Sequence, residues 1–143
     1  MTDPVPRRQL LVLLPVAMGF LAGCFSVNSS HATLRTKSLT VSETNSSFAI
    51  SATPHVVVAG DWKPFRNVSM VVTNEAGTEI CRKDLGDFTR SGEQDQVIVE
   101  CDSAPYTISY EIDRDPCGPA TAVFKNVYDP EQDIWREERI ECE

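Results

Sequence analysis

His31 and His55 are the two histidines of the chain, so a Ser-His-Asp or Cys-His relay has to use one of them. No G-x-S-x-G elbow and no cysteine signature accompanies either. Blue copper needs two histidines and a cysteine, and no histidine follows His55. Carboxylates are more plentiful. Asp84/Asp87, Glu93/Asp95 and Asp113/Asp115 are close pairs that serve as glycosidase acid and base only if the fold holds them at a defined separation in a cleft. Asp129-x-Glu131-x-Asp133 opens like a calcium loop, but Ile134 and Ile140 stand where the glycine and the bidentate glutamate belong, so it reads as a solvated acidic turn. No metal and no cofactor is expected. Trp62 and Phe65, in Asp61-Trp62-Lys63-Pro64-Phe65, are the binding candidates: two aromatics in a predicted loop can anchor a sugar or a protein, or fold back over the end of a domain. Trp135 carries the same ambiguity.

The N-terminus carries a different kind of chemistry. Arg7 and Arg8 precede an apolar run from Leu10 to Ala22, which closes on Leu21-Ala22-Gly23-Cys24. A charged n-region, an apolar h-region and small residues before a cut make a signal peptide. A transmembrane anchor needs about 18 to 20 apolar residues, and this run is shorter and broken by Pro15 and Gly19. The cysteine after Gly23 resembles the lipobox of membrane lipoproteins. That resemblance implies a two-chain lipid in thioether linkage on Cys24, a segment pattern of signal peptide 1–23, tether 24–33 and domain 34–143, and an outward-facing, membrane-attached protein. Pro6-Arg7-Arg8-Gln9-Leu10-Leu11 also resembles a twin-arginine export signal, although the usual preceding Ser/Thr and later Lys are missing, so the export route stays open.

Residues 24–143 hold 11 Lys+Arg against 20 Asp+Glu, a net formal charge of −9. Such a surface repels nucleic acid, which is excluded as a partner. Four lysines stand against seven arginines in that part. Low lysine, high acidity and the twin-arginine-like lipobox signal together resemble haloarchaeal surface lipoproteins. Three sequons, at Asn28, Asn45 and Asn67, are glycosylation candidates.

Beyond Cys24 lie Cys81, Cys101, Cys117 and Cys142, an even number in a chain read as exported, so disulfides are expected. Their spacings of 20, 16 and 25 residues contain no close pair of the kind zinc sites use. A hairpin of segments 78–86 and 95–101 centred near Ser91 sets Cys81 opposite Cys101. A second hairpin, of 119–128 and 134–142, sets Cys142 beside Pro119 and within reach of Cys117. Cys101 and Cys117 flank an extended strand of roughly 30 Å, beyond disulfide reach. The expected bridges are Cys81–Cys101 and Cys117–Cys142.

From Leu34 the chain breaks into short runs rich in Val, Ile, Thr, Tyr and Phe, which predict strands near 34–42, 47–58, 67–74, 78–86, 95–101, 105–113, 119–128 and 134–142. Asn74-Glu75-Ala76-Gly77 should be a hairpin connection whose glycine takes positive φ. Tyr106, Ile108, Tyr110 and Ile112 alternate onto one face, which should be core. Asp129-Pro130-Glu131-Gln132 fits either a helix start or a tight turn; a turn and a charged edge strand are favoured, because Arg136 to Arg139 leave only a thin apolar stripe. The pattern resembles an all-β, immunoglobulin-like β-sandwich of about 7–8 strands. The expected function is a lipid-anchored, non-catalytic cell-surface module that meets a protein or glycan partner. The alternative is a secreted accessory enzyme or a solute- or metal-binding protein that uses a carboxylate cluster.

Overall fold

The computed structural model describes residues 31–118 and 120–141. Expectations that fall on segment 1–23, on Cys24, on Asn28 and on Cys142 lie outside the described residues.

Nine strands and no helix make up the described residues: β1 (His31–Thr44), β2 (Ser47–Ala59), β3 (Phe65–Thr73), β4 (Glu79–Phe88), β5 (Gly92–Glu93), β6 (Val97–Cys101), β7 (Thr107–Glu111), β8 (Thr121–Asp129) and β9 (Ile134–Arg139). Each of the eight expected strands is present, and β5 is an additional short bridge to β2. One boundary moves. β1 begins at His31, inside the stretch read as a tether, because Ala32 and Leu34 are both buried and draw the chain into the sheet early.

Period-two alternation builds most of the core. Ala32 and Leu34 from β1, Ile50, Ala52 and Val56 from β2, Val97 and Val99 from β6, and Ile108 and Tyr110 from β7 all point inward. Tyr106 and Ile112, expected on the same face, are only half-buried at the strand ends. β3 departs from alternation: Val68, Ser69, Met70, Val71 and Val72 are buried in succession. It lies between β4 and β7, and an uninterrupted buried run is what a strand covered on both faces looks like. Each large aliphatic or aromatic side chain buried here contributes about 1.5–3 kcal/mol.

The expected β3–β4 hairpin forms around Asn74-Glu75-Ala76-Gly77, with Gly77 at φ 86°. The Gly77 N–H donates to the Asn74 carbonyl at 2.9 Å, and Asn74 Oδ1 accepts the N–H groups of Ala76 and Thr78 at 3.0 Å each. At the other end of the chain, residues 130–133 make the favoured turn, with Asp129 Oδ1 accepting the Glu131 N–H at 3.0 Å, and β9 returns along β8.

Strand order is β4-β3-β7-β8-β1-β2-β5, with β6 also on β2 and β9 also on β8. β8 joins two sets of strands. Its first residues, Thr121 to Val123, run parallel to Ala32–Leu34 of β1, while its later residues pair antiparallel with β7 and β9. The sheet curls into a half-barrel, and on the side away from β8 the Cys81–Cys101 disulfide ties β4 to β6 with a Cα–Cα distance of 5.8 Å.

This bridge is the expected pair in an unexpected setting. β4 pairs with β3 and β6 pairs with β2, so the hairpin centred near Ser91 does not form. Residues 89–96 instead carry the chain from one strand set to the other. Phe88 and Val97 are both buried at the ends of that crossing, which fixes the two strands to the common core rather than to each other. Cys117 is likewise disulfide-bonded, and its Sγ lies 3.3 Å from the Ile140 carbonyl oxygen. Inside the core, Thr36 of β1 and Tyr110 of β7 share a buried hydrogen bond of 2.5 Å between their hydroxyls, linking the two strand sets.

Candidate functional site

Phe65 and Trp62 part company in the structure. Phe65 is not a loop aromatic: it opens β3 and is 0% exposed, so it is core and cannot meet a ligand directly. Pro64 stands immediately before it, and the strand starts two residues earlier than expected, with Phe65 packed into the common core. Trp62 remains in the loop, half-buried, with its ring 6.0 Å from that of Phe65 at an interplanar angle of 50°. Arg114 closes the arrangement. Its guanidinium lies 4.9 Å from the centre of the Phe65 ring, in the range of a cation–π contact, and donates to the carbonyls of Lys63, at 3.1 Å, and Pro64.

Trp62 and Arg114 wall an open hollow of about 520 Å³ at the N-terminal end of β1, together with Ala32, Lys63, Gly118, Ala120 and Thr121. Backbone bonds fix its far side: Ala32 N–H to Ala120 O at 3.0 Å, Thr121 N–H to Gly118 O at 3.1 Å, and Gly118 N–H to Asp115 O at 3.1 Å. The hollow presents one aromatic side chain, small apolar groups, two cationic side chains and the carboxylates of Asp61 and Asp115. That combination suits a surface contact with one apolar and one polar element. Arg114 was not among the sequence candidates, because a cation between two aspartates reads as an ordinary solvated residue until Phe65 is seen beneath it.

The close carboxylate pairs do not converge on a reacting centre. Within each pair the two groups take different partners. Asp84 accepts the Ser69 hydroxyl at 2.8 Å, whereas Asp87 accepts Arg66 at 3.1 Å and the Asn67 N–H at 3.0 Å. Glu93 meets Lys37, and Asp95 lies 3.9 Å from Arg90. Asp113 takes the Arg66 N–H and Arg114, while Asp115 accepts the Cys117 N–H at 2.9 Å.

Electrostatics point the same way. Hydrogen bonds hold the carboxyls of Glu79 (from Arg82), Glu93 (from Lys37) and Asp129 (from Arg136) below the usual range. Burial pushes Asp113 up, but the Arg66 N–H and the Arg114 guanidinium outweigh it and leave the group lowered. A general acid needs a carboxyl raised toward neutrality; these four are tuned to stay ionised.

Asp129 and Asp133 of the calcium-like stretch are also spent internally, since Asp129 binds Arg136 at 2.9 Å and Asp133 accepts the Tyr128 hydroxyl at 2.7 Å. Among the described residues, no group of three His, Cys, Asp or Glu could hold a metal ion. Tyr128 and Trp135 face one another across β8 and β9 with ring centres 5.3 Å apart and planes tilted at 49°, so Trp135 packs on its own strand pair. His55 sits within β2 opposite Arg35 and Glu93, and His31 starts β1.

Of the sequons, Asn45 occupies the exposed two-residue turn between β1 and β2, with Asn45 at φ 52° and Ser46 at φ 78°. Asn67 lies in β3 at φ 53° beside a break in the β3–β4 register. Comparison with known proteins finds no family model that matches the chain, and no curated protein or solved structure similar to it.

Proposed function

We propose that the chain is a lipid-anchored module on the outer face of a membrane, attached through Cys24 and acting by surface contact with a protein or glycan rather than by catalysis. The observation that carries this reading is Leu21-Ala22-Gly23-Cys24 closing an apolar run after paired arginines. Two acyl chains hold a protein stably where one does so marginally, at about 0.8 kcal/mol per buried methylene.

The start of β1 gives the anchor a direction. His31 follows Cys24 by seven residues, which span at most about 25 Å when fully extended. The end of the domain that carries the Trp62 hollow is therefore the end nearest the bilayer, and the β1–β2 turn is the end farthest from it. An immunoglobulin-like sandwich is the finer reading of the fold; it is supported by two strand sets over one core and by a disulfide that joins them. The shared β8 is its main departure from a two-sheet plan.

Fractionation of cells that express Cys24→Ser tests the anchor. The variant should appear in the medium or accumulate as the uncleaved precursor, and the native protein should carry the mass of a two-chain lipid on Cys24. Membrane association and mass unchanged by the substitution would overturn the proposal.

A further inference from the structure

We propose that Asn45 carries an N-linked glycan in the folded domain and that Asn67, although it stands in an equally complete sequon, does not. This rests on the outward-facing reading above. Both triplets satisfy the N-x-S/T rule, so the sequence alone ranks them equally. The fold separates them.

A glycosyltransferase has to hold the asparagine and the hydroxyl residue two positions later at once, and that demands three consecutive residues free to leave the sheet surface. Asn45-Ser46-Ser47 meets the demand at the cost of one terminal pair, because Ser47, the half-buried first residue of β2, faces Thr44 at the very end of the β1–β2 ladder. Residues 42–46 are all exposed, and Asn45 and Ser46 form the turn itself rather than a ladder. The Ser47 hydroxyl is held by local bonds to Thr44 alone, to its carbonyl at 3.1 Å and its hydroxyl at 3.5 Å, beside the exposed tip.

Asn67-Val68-Ser69 fails it. Val68 is fully buried, and Ser69 is 8% exposed. The Ser69 hydroxyl, the group a transferase must find, donates to Asp84 Oδ1 at 2.8 Å. The Asn67 N–H is bound to Asp87. Ser69 is also laddered on both sides, to Asp84 in β4 and Glu111 in β7. Presenting this triplet means pulling a central strand out of the core, an opening close to global unfolding.

In the transfer, the Asn45 side-chain nitrogen attacks the anomeric carbon of a lipid-linked glycosyl phosphate donor. The new N–C bond forms as the C–O bond to phosphate breaks; the phosphate leaves with that electron pair, and the amide gives up one proton to a base of the transferase. Placed at the turn of β1 and β2, the sugar stands at the opposite end of a 14-residue strand from His31, about 45 Å away.

The test is peptide mass mapping of the full protein purified from its native membranes, with Asn45→Asp and Ser47→Thr as variants. Aspartate tolerates the left-handed turn, so the fold is kept while the acceptor is lost; threonine keeps the sequon. The Asn45 peptide should carry glycan mass in the native protein and in Ser47→Thr, and lose it in Asn45→Asp, while the Asn67 peptide stays unmodified throughout. An unmodified Asn45 peptide in the native protein overturns the proposal. Glycan on Asn67 overturns the selection by the fold. The lipid mass on Cys24, read in the same digest, reports separately on the anchor.

Discussion

Removing the Tyr110 hydroxyl should expose how the two strand sets are coupled through the core. Tyr110 is 2% exposed, and its hydroxyl meets Thr36 Oγ1 at 2.5 Å. Tyr110→Phe keeps the ring and its packing but leaves the Thr36 hydroxyl buried without that partner. An unsatisfied buried hydroxyl costs about 1–3 kcal/mol. In a domain of this size each kcal/mol moves Tm by about 4 °C, so the single variant should melt roughly 4–12 °C below the native protein. Thr36→Val exchanges the orphaned hydroxyl for a methyl of similar shape, and replacing both partners by apolar groups is close to neutral. Tyr110→Phe/Thr36→Val should therefore recover most of the loss, with a coupling of about 1 kcal/mol in a double-mutant cycle. Urea denaturation followed by tryptophan fluorescence measures all four proteins. Strictly additive losses would refute the reasoning, because the hydroxyls would then act independently.

The same burial pushes the Tyr110 phenol up to about 12, against a smaller downward pull from its bond to Thr36. The folded state thus holds the proton more tightly than the unfolded chain; stability should be level below pH 10 and fall by roughly 2–3 kcal/mol as pH rises to 12. Phenolate absorbance during alkaline titration should show one tyrosine ionising late and together with unfolding. Cys81→Ala/Cys101→Ala opens a loop of sequence separation 20 and should cost about 3 kcal/mol by the chain-entropy account, read as a lower urea midpoint; a loss near zero would mean that the ladders of β4 to β3 and of β6 to β2, with the shared core, hold the two strands without the bridge. Gly77 sits at φ 86° with open space where a Cβ would stand, so Gly77→Ala should cost about 1–2 kcal/mol of purely conformational origin, and Gly77→Asn less.

Local features were legible because their causes are local. Gly77 after Asn74 announces a hairpin, and the alternation from Tyr106 to Ile112 announces a core-facing strand, since each depends on residues a few positions apart. Partner choice is another matter. β4 and β6 are separated only by the two-residue β5 and carry cysteines at mirror positions, yet each pairs with an earlier strand. Nothing in either segment encodes the crossing; it arises because Phe88 and Val97 reach the common core from opposite strand sets. The parallel match of Ala32–Leu34 with Thr121–Val123 is equally silent, being a meeting of short apolar stretches at the two ends of the domain. At the candidate site, Trp62 was visible as an aromatic beside turn residues. Phe65 was misplaced because its burial depends on distant partners, the core side chains around it and Arg114 over its ring, which lie far along the chain.

The double membership of β8 bears on how the protein comes into being. Any piece of the chain that ends before Thr121 leaves β1 without its parallel neighbour and β7 with β3 alone, so both strand sets stay unfinished together. Distant pairings of this kind are late and slow events in folding. The β1–β2 and β3–β4 hairpins can form earlier, but the two strand sets are joined through β8 only once the polypeptide is almost fully made. Until then Leu34 and Ile108 remain open to wrong neighbours, and a holding factor or an unfolded export route has its window there.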